Sequence, residues 1–269
     1  MPRRNRTAFL IATCLLLIGS IQSTHGQDVG VETTLQKTGP LVEKFLDQLS
    51  DVRCTEQVVQ QKLNKDGHVE LSEKSSYDYL VMLQGDGDDL MLNESRIELK
   101  TSTVSKKHLP LLLTNGFSSL FLVFHPYYQN SFHFASDGTE TQDGRSLLRV
   151  RFSHIPGTRT PAALSVRGRE YPLELSGTAW IRPESGAIVR IQTGLQTDMK
   201  DVGLRALSTD VEYGPVQLSG ISSTYLFPVV ATIEVQSLRQ HWRNTHRFHD
   251  YTRFNVDAEQ AATPNVRQQ

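Results

Sequence analysis

Three histidines near the C-terminus, His241, His246 and His249, are the first candidates for chemistry, because imidazole binds metals and transfers protons. On a strand His241 and His249 share a face but lie about 27 Å apart, at about 3.4 Å per residue, while His246 points the opposite way. One metal ion cannot be held by that arrangement. We therefore expect exposed or half-buried sheet histidines and no metal site.

Two further features could do chemistry, the acidic turn from Gly85 to Asp89 and Cys54. The turn offers carboxylate oxygens to calcium but lacks the ligand spacing and closing glutamate of an EF-hand, so a solvated hairpin turn is favoured. Cys54 could be a reactive thiol. We interpret it as a buried small hydrophobe, because no second cysteine stands ready to resolve an oxidised form.

Short catalytic motifs are absent from the sequence. It contains no G-x-S-x-G, no H-E-x-x-H and no phosphate-binding glycine loop after a strand. We therefore predict no catalytic residues and no cofactor, and we expect the protein not to be an enzyme.

The N-terminus is typical of a secretory signal peptide. Arg3, Arg4 and Arg6 precede an apolar run from Ala8 to Ile21, which is followed by small residues up to Gly26. A membrane anchor is the alternative, but the run is shorter than the roughly 20 apolar residues that a span requires. We expect cleavage near Gly26 and no transmembrane span in the mature chain.

The mature chain would be acidic and free of disulfides. Cleavage removes three of the 28 basic residues and none of the 29 acidic ones, which leaves a formal net charge of −4. Nucleic acid is therefore not an expected partner. Because Cys54 alone remains, the core must hold the fold together in an oxidising compartment.

The elements that would position any site begin with a helix. Pro40 suits a first helical position, and Leu41, Val42, Phe45 and Leu49 then form one apolar stripe at spacings of three and four. From Val52 onward the hydrophobic period changes to two. Such a stripe needs a surface to pack on, and the strands that follow are the natural one.

Alternating apolar residues and turns about ten residues apart predict nine to eleven antiparallel strands. The pattern is sharpest in the hairpin from Gly177 to Leu195, where Ala179 and Ile181 face one way and Trp180 the other. The stretch from Pro156 to Ser176 is interpreted as a long loop with at most one short strand. A sheet this large curls or closes, which gives it a concave apolar face for helices to fill.

The segment from Leu109 to Phe134 is the most apolar of the mature chain and contains no Lys, Arg, Asp or Glu. Its helical spacing predicts a short helix that ends before His125-Pro126. The helix could be part of the core, a lid over a hydrophobic cavity, or an interaction surface. The predicted ligand-binding residues are Leu112, Phe117, Leu120, Phe121, Phe124, Tyr127, Phe132, Phe134 and Trp180.

The order of these elements resembles the LolA-like superfamily of bacterial periplasmic proteins. The hairpin GTAWIRPESGAIVR at 177–190 carries the resemblance, together with Leu226-Phe227-Pro228 and the final strand from Phe248 to Phe254. The superfamily includes outer-membrane lipoprotein carriers and the N-terminal domain of MucB/RseB-type regulators. The resemblance implies an unclosed half-barrel, a strongly curved antiparallel sheet with helices packed on its concave face, which holds acyl chains in the carriers.

The sequence thus predicts a mainly β protein with some α-helix, located in the periplasm of a Gram-negative-type bacterium. Residues 1–26 would be the signal peptide, 27–256 one half-barrel domain and 257–269 a polar disordered tail. The first hypothesis is a soluble, non-catalytic protein that binds a lipid, a lipoprotein acyl chain or another hydrophobic ligand. The alternative is an envelope sensor or assembly protein that contacts a protein partner and holds no small ligand.

Overall fold

The structure, a computed structural model, describes residues 25–50, 52–84, 91–100, 117–166, 168–218 and 224–253. The helices are α1 (His25–Ser50) and α2 (Pro126–Gln129), with 3-10 helices at Phe117–Phe124 and Lys200–Val202. The strands are β1 (Val52–Leu63), β2 (Val69–Gln84), β3 (Met91–Lys100), β4 (Phe132–Gln142), β5 (Arg145–His154), β6 (Ala163–Val166), β7 (Arg169–Pro172), β8 (Leu175–Ile181), β9 (Ile188–Leu195), β10 (Leu204–Gln217), β11 (Thr224–Ser237) and β12 (His241–Arg253).

Ten of these strands form one antiparallel sheet in the order β3-β2-β1-β12-β11-β10-β9-β8-β5-β4. β6 and β7 form a separate two-stranded hairpin. The edge strands β3 and β4 do not pair with each other, so the sheet is not closed within the described residues. The prediction of nine to eleven antiparallel strands is therefore confirmed for the main sheet.

Helix α1 covers the inner face of the sheet. The helix has 26 residues, about 39 Å at about 1.5 Å per residue, and it contacts β2 near one edge of the sheet and β4 at the other. The predicted fold class is confirmed: an unclosed, curved antiparallel sheet with helices on its concave face. None of the described helices is long and apolar enough to cross a membrane.

The core lies between α1 and the inner face of the sheet. Alternation along the strands sends Val150 of β5, Ile191 of β9 and Val211 of β10 inward, and each has 0% of its surface exposed. In β8 Ala179 and Ile181 are also fully buried, which identifies the face that the hairpin pattern predicted them to share as the inner one. Burying an aliphatic side chain of this size stabilises the fold by about 1.5–3 kcal/mol, so the inner face is the main source of stability.

The start of α1 differs from the prediction. The helix begins at His25 and runs through Pro40, although Pro40 cannot donate a hydrogen bond to the carbonyl four residues earlier. The first turns are buried through small polar residues: Thr34 and Thr38 are 3% and 0% exposed, and their hydroxyls donate to the carbonyls of Gly30 and Thr34. The tertiary packing of α1 therefore outweighs the cost of the helix-breaking proline. Because threonines occupy buried positions in the first turns, the sequence shows no continuous apolar stripe there.

Two other stretches also differ in detail. The predicted loop from Pro156 to Ser176 contains two short strands, β6 and β7, joined at Gly168, whose φ of +75° favours glycine. Strands of four residues are too short to show alternation. In the apolar segment, residues 109–116 lie outside the described residues, and the predicted helix is a 3-10 helix over Phe117–Phe124 followed by α2.

The turn of the β8–β9 hairpin packs directly on α1. Lys37 Nζ donates to the carbonyl of Pro183 at 3.0 Å, and Thr38 Oγ1 lies 2.9 Å from the carbonyl oxygen of Gly186. A Cβ placed on Gly186 would lie 2.7 Å from Cβ of Lys37 and 2.8 Å from the nitrogen of Thr38. Gly186 also has a φ of +79°. Glycine is therefore required here both by the backbone angle and by the approach of the helix.

We expect Gly186→Ala to destabilise the protein more than Gly144→Ala does. Gly144 has a similar φ of +73°, but no atom lies within 4 Å of a Cβ placed on it, so alanine there meets backbone strain alone. That strain is about 1–2 kcal/mol, and the forced contact with α1 should add about 1–3 kcal/mol at Gly186. Denaturant unfolding of both variants measures the difference. Equal losses would contradict a tight contact between turn and helix.

Candidate functional site

A cavity of about 380 Å³ lies on the concave side of the sheet, beside the second half of α1. Its walls come from α1, the 3-10 helix Phe117–Phe124, the start of β9, and the paired strands β10 and β11. The lining residues are Thr38, Leu41, Val42, Lys44, Phe45, Gln48, Phe121, Gly186, Ala187, Ile188, Tyr213, Thr224, Tyr225 and Leu226. Most of them are apolar or aromatic, which is typical of a site for a hydrophobic ligand.

Helix α1 supplies one wall because Leu41, Phe45 and Gln48 recur at helical spacing and so lie on one face. Phe45 is the central contact. Its ring meets the ring of Phe121 edge to face at 4.4 Å between centroids, and the ring of Phe227 at 5.9 Å. Phe227 is stacked between other rings of the sheet, so the wall and floor of the cavity are held in place by aromatic packing.

Tyr213 lies where the cavity meets the core. It is 8% exposed, and its ring centroid is 6.1 Å from that of Phe45. Its hydroxyl has no hydrogen-bond partner among the described residues, and burial raises its pKa well above 10.0. A buried hydroxyl without a partner costs about 1–3 kcal/mol, so this side chain lowers stability at the wall of the cavity.

The inner face of β1, β3 and β12 carries a buried cluster of charged side chains instead of a cavity. The Glu56 carboxylate accepts hydrogen bonds from Arg96 Nε at 2.6 Å and Nη2 at 3.0 Å, and lies 2.7 Å from His246 Nδ1. Arg96 also pairs with Glu94 at 3.0 Å. Burial alone would raise the pKa of Glu56, but the hydrogen bonds from His246 and Arg96 outweigh it and hold the pKa below 4.5.

This cluster corrects the expectation for the histidines. His246 is 0% exposed instead of half-buried. It lies opposite Val58 in the β1–β12 register, which places its side chain on the inner face beside Glu56. His241 and His249 lie on the other face, near Glu234 and Asp250. No group of three His, Cys, Asp or Glu side chains that could hold a metal ion occurs within the described ranges. The acidic turn at residues 85–89 lies outside them.

Cys54 is buried, as interpreted from the sequence. Burial raises the pKa of its thiol to about 12, so the thiol is protonated at neutral pH. Because the thiolate is the nucleophilic form, Cys54 is unreactive in the folded protein.

The predicted ligand-binding residues are divided between several places. Among those whose side chains the structure describes, Phe121 alone lines the cavity. Leu120, Phe124 and Phe132 are at most 5% exposed in the core, with Phe134 packed 5.5 Å from Phe124. Half-buried Tyr127 of α2 lies beneath Arg159. Leu112 and the side chain of Phe117 lie outside the described part of the chain.

Trp180 lies on the outer face of the sheet, opposite the cavity. Its indole nitrogen donates to Glu140 at 2.8 Å, and the guanidinium of Arg190 lies 4.9 Å from its ring. Its inclusion among the ligand-binding residues is therefore not supported by its position. Alternation along the strand did not determine which face of the sheet Trp180 lies on. Its contacts with Glu140 and Arg190 show that it lies on the outer face.

The sequence reasoning missed most of the cavity. It identified Leu41, Val42 and Phe45 only as a packing stripe, and it gave no role to Tyr213, Ile188 or Leu226. One signal was available in the sequence. Leu41 makes the apolar face of α1 wider than a contact with the core requires, and its side chain is 37% exposed in the structure. The residues from β9, β10 and β11 could not be found, because only the sheet order brings them beside α1.

Comparisons with known proteins give distant structural similarity. No protein-family model matches the chain, and no curated protein sequence matches it. A solved DUF1329 family protein from Desulfovibrio piger is 12% identical, with a TM-score of 0.40 over 85% of this chain and 93% of that one. A domain proposed to be an outer membrane lipoprotein-sorting protein, from Vibrio parahaemolyticus, is 10% identical, with a TM-score of 0.40 over 82% and 94%.

We expect Tyr213→Phe to leave stability unchanged or raise it by about 1 kcal/mol, because it removes a buried hydroxyl without a partner. Tyr251→Phe is the matched control: Tyr251 is 9% exposed, and its hydroxyl donates to the carbonyl of Pro228 at 2.6 Å. That variant should lose about 1 kcal/mol. Urea unfolding of both proteins tests the difference, and an equal loss would show that the Tyr213 hydroxyl has a partner.

Glu56→Gln should lower the free energy of unfolding by about 3 kcal/mol, because it leaves the Arg96 charge buried with Glu94 as its remaining carboxylate. Asp210→Asn is the control: Asp210 accepts two hydrogen bonds from Arg190, at 2.8 and 2.6 Å, but both side chains are about one third exposed. Exposed pairs contribute about 1 kcal/mol or less. Thermal and denaturant unfolding measure both variants. A small loss for Glu56→Gln would mean that the inner cluster is solvated.

Proposed function

We propose that this protein binds a hydrophobic ligand, such as a lipid or a lipoprotein acyl chain, in the cavity between α1 and the curved sheet. The observation that carries the proposal is the cavity of about 380 Å³ with an aromatic and aliphatic lining. Its volume lies within the range of small-molecule sites, about 300–1,000 Å³.

The construction of the walls supports this proposal. Leu41, Ile188 and Leu226 come from three different elements and converge on one space. Interiors are normally packed without such gaps. Thr38 Oγ1 lies 2.9 Å from the carbonyl oxygen of Gly186, and both residues line the cavity, so the contact between α1 and the hairpin turn forms one end of it.

Location in the periplasm supports the same function and is part of the proposal. It rests on the N-terminal sequence, where arginines, an apolar run and small residues follow one another. A lipid that crosses an aqueous compartment must be shielded from water, and a concave sheet with a helix over it provides that shield.

The proposed function is binding without catalysis. The pair of Glu56 and His246 has the 2.7 Å contact of a carboxylate that orients a histidine, as in hydrolytic sites. Both side chains are 0% exposed, and Arg96 occupies the remaining carboxylate oxygen. A buried pair that no substrate can reach fits a structural role.

A second candidate function, contact with an envelope protein, is favoured by one observation. The edge strand β3 exposes two apolar side chains that lie two residues apart: Ile97 is 65% exposed and Leu99 is 52% exposed. Clustered apolar side chains on a surface mark interaction sites. If the purified protein holds no lipid and a photo-crosslinker at Ile97 captures one dominant envelope protein, this second function replaces the first.

Leu41→Gln should weaken the binding of a fluorescent fatty acid about ten-fold with little change in melting temperature, because Leu41 lines the cavity yet is 37% exposed. Leu238→Gln is the control, since Leu238 is 56% exposed and lies outside the cavity lining. Fluorescence titration and mass spectrometry of extracted lipid provide the measurements. Absence of any bound lipid, together with no binding of the probe by the unmodified protein, would rule out the proposal.

A further inference from the structure

Charge is distributed unevenly around the cavity. Among the described residues that line it, Lys44 is the one with a charged side chain, and no carboxylate is among them. The acidic residues nearest to Lys44 in α1 are Glu43 and Asp47, which are exposed and do not line the cavity. Glu184, in the adjoining hairpin turn, is likewise exposed and outside the lining.

Exposure shows which end of the cavity is the mouth. Phe121, Val42 and Tyr213 are 2%, 4% and 8% exposed and form the deep end. Lys44, Leu41 and Thr224 are exposed and form the entrance. Lys44, the one cation among the described lining residues, therefore stands at the mouth, and the deep end is apolar and aromatic.

We propose that the ligand of this cavity is a single-chain amphiphile with an anionic head group. The head group lies at Lys44 in the mouth, and the chain extends inward toward Phe121 and Tyr213. This inference rests on the proposed function and specifies the class of ligand.

Two physical reasons lead to this class. The volume of about 380 Å³ is near the lower end of the range for ligand sites, which suits one acyl chain better than two or three. A lysine ammonium beside an apolar wall has its field less screened than in bulk water, so it attracts an anion and repels a cation. Carboxylate and phosphate groups can both pair with the lysine ammonium. Fatty acids carry a carboxylate, and lysophospholipids carry a phosphate.

Four probes with the same twelve-carbon chain separate head group from chain: dodecanoate, dodecyl phosphate, dodecanol and dodecyltrimethylammonium. Isothermal titration of the mature protein at pH 8 should rank at least one of the two anions about three- to five-fold above dodecanol, and the cation below it. The preference should shrink in about 1 M salt, where the screening length is about 3 Å. If only dodecanoate binds more tightly than dodecanol, the head group comes from a fatty acid. If only dodecyl phosphate does so, the head group comes from a lysophospholipid.

Lys44→Gln should abolish the preference for anions and leave the affinity for dodecanol unchanged, while Lys44→Arg should keep the preference. The control is Lys74→Gln, which makes the same change in net charge at an exposed position of β2 outside the cavity lining. It should change none of the affinities.

The outcomes separate this inference from the function on which it rests. If dodecanol binds as tightly as both anions, or if Lys74→Gln removes the preference as well as Lys44→Gln does, the head-group inference is wrong while hydrophobic binding stands. If none of the four probes binds, the proposed function fails and the inference fails with it.

Discussion

The inner face of an open, ten-stranded sheet must be covered, and the way α1 covers it determines the rest of the structure. The helix contacts strands near both edges and so covers the inner face from one side to the other. The 3-10 helix Phe117–Phe124 fills the space that α1 leaves on one side. Where neither element reaches, between α1 and the β10–β11 pair, the cavity remains.

One end of the inner face carries charged side chains and the other is apolar, and this difference affects which strands can pair. Beside β1 the face is closed by Glu56, Arg96 and His246, which satisfy one another at short distances. A buried ionic cluster of this kind adds little net stability, but it makes any other pairing of these strands costly, because each charge would lose its partner. The strand register at this end is thereby fixed, while the opposite end remains apolar enough to hold a ligand.

Sequence patterns predicted the strands well and the site poorly, for a reason visible in particular residues. Alternation depends on each strand alone, so the start of β1 at Val52 and the shared face of Ala179 and Ile181 could be predicted from neighbouring residues. The burial of His246 and the outward position of Trp180 depend on which strands become neighbours. The apolar composition of the segment from Leu109 to Phe134 left core, lid and interaction surface open. In its described part Leu120 to Phe124 are buried in the core, Phe121 also lines the cavity, and α1 provides another wall.

The cavity is held at a fixed width on one side, which bears on selectivity. Thr38 and Gly186 line it and are in contact, with Thr38 Oγ1 2.9 Å from the Gly186 carbonyl oxygen, and Lys37 Nζ donates a hydrogen bond to the carbonyl of Pro183 in the same hairpin turn. Closing the gap would break these contacts and force α1 against a backbone that already approaches within van der Waals distance at Gly186. A rigid wall lowers the entropic cost of ordering the protein when a ligand binds, and it limits the cross-section of a ligand that can enter the cavity. The same contact that requires glycine in the hairpin therefore favours a thin, single chain as the ligand.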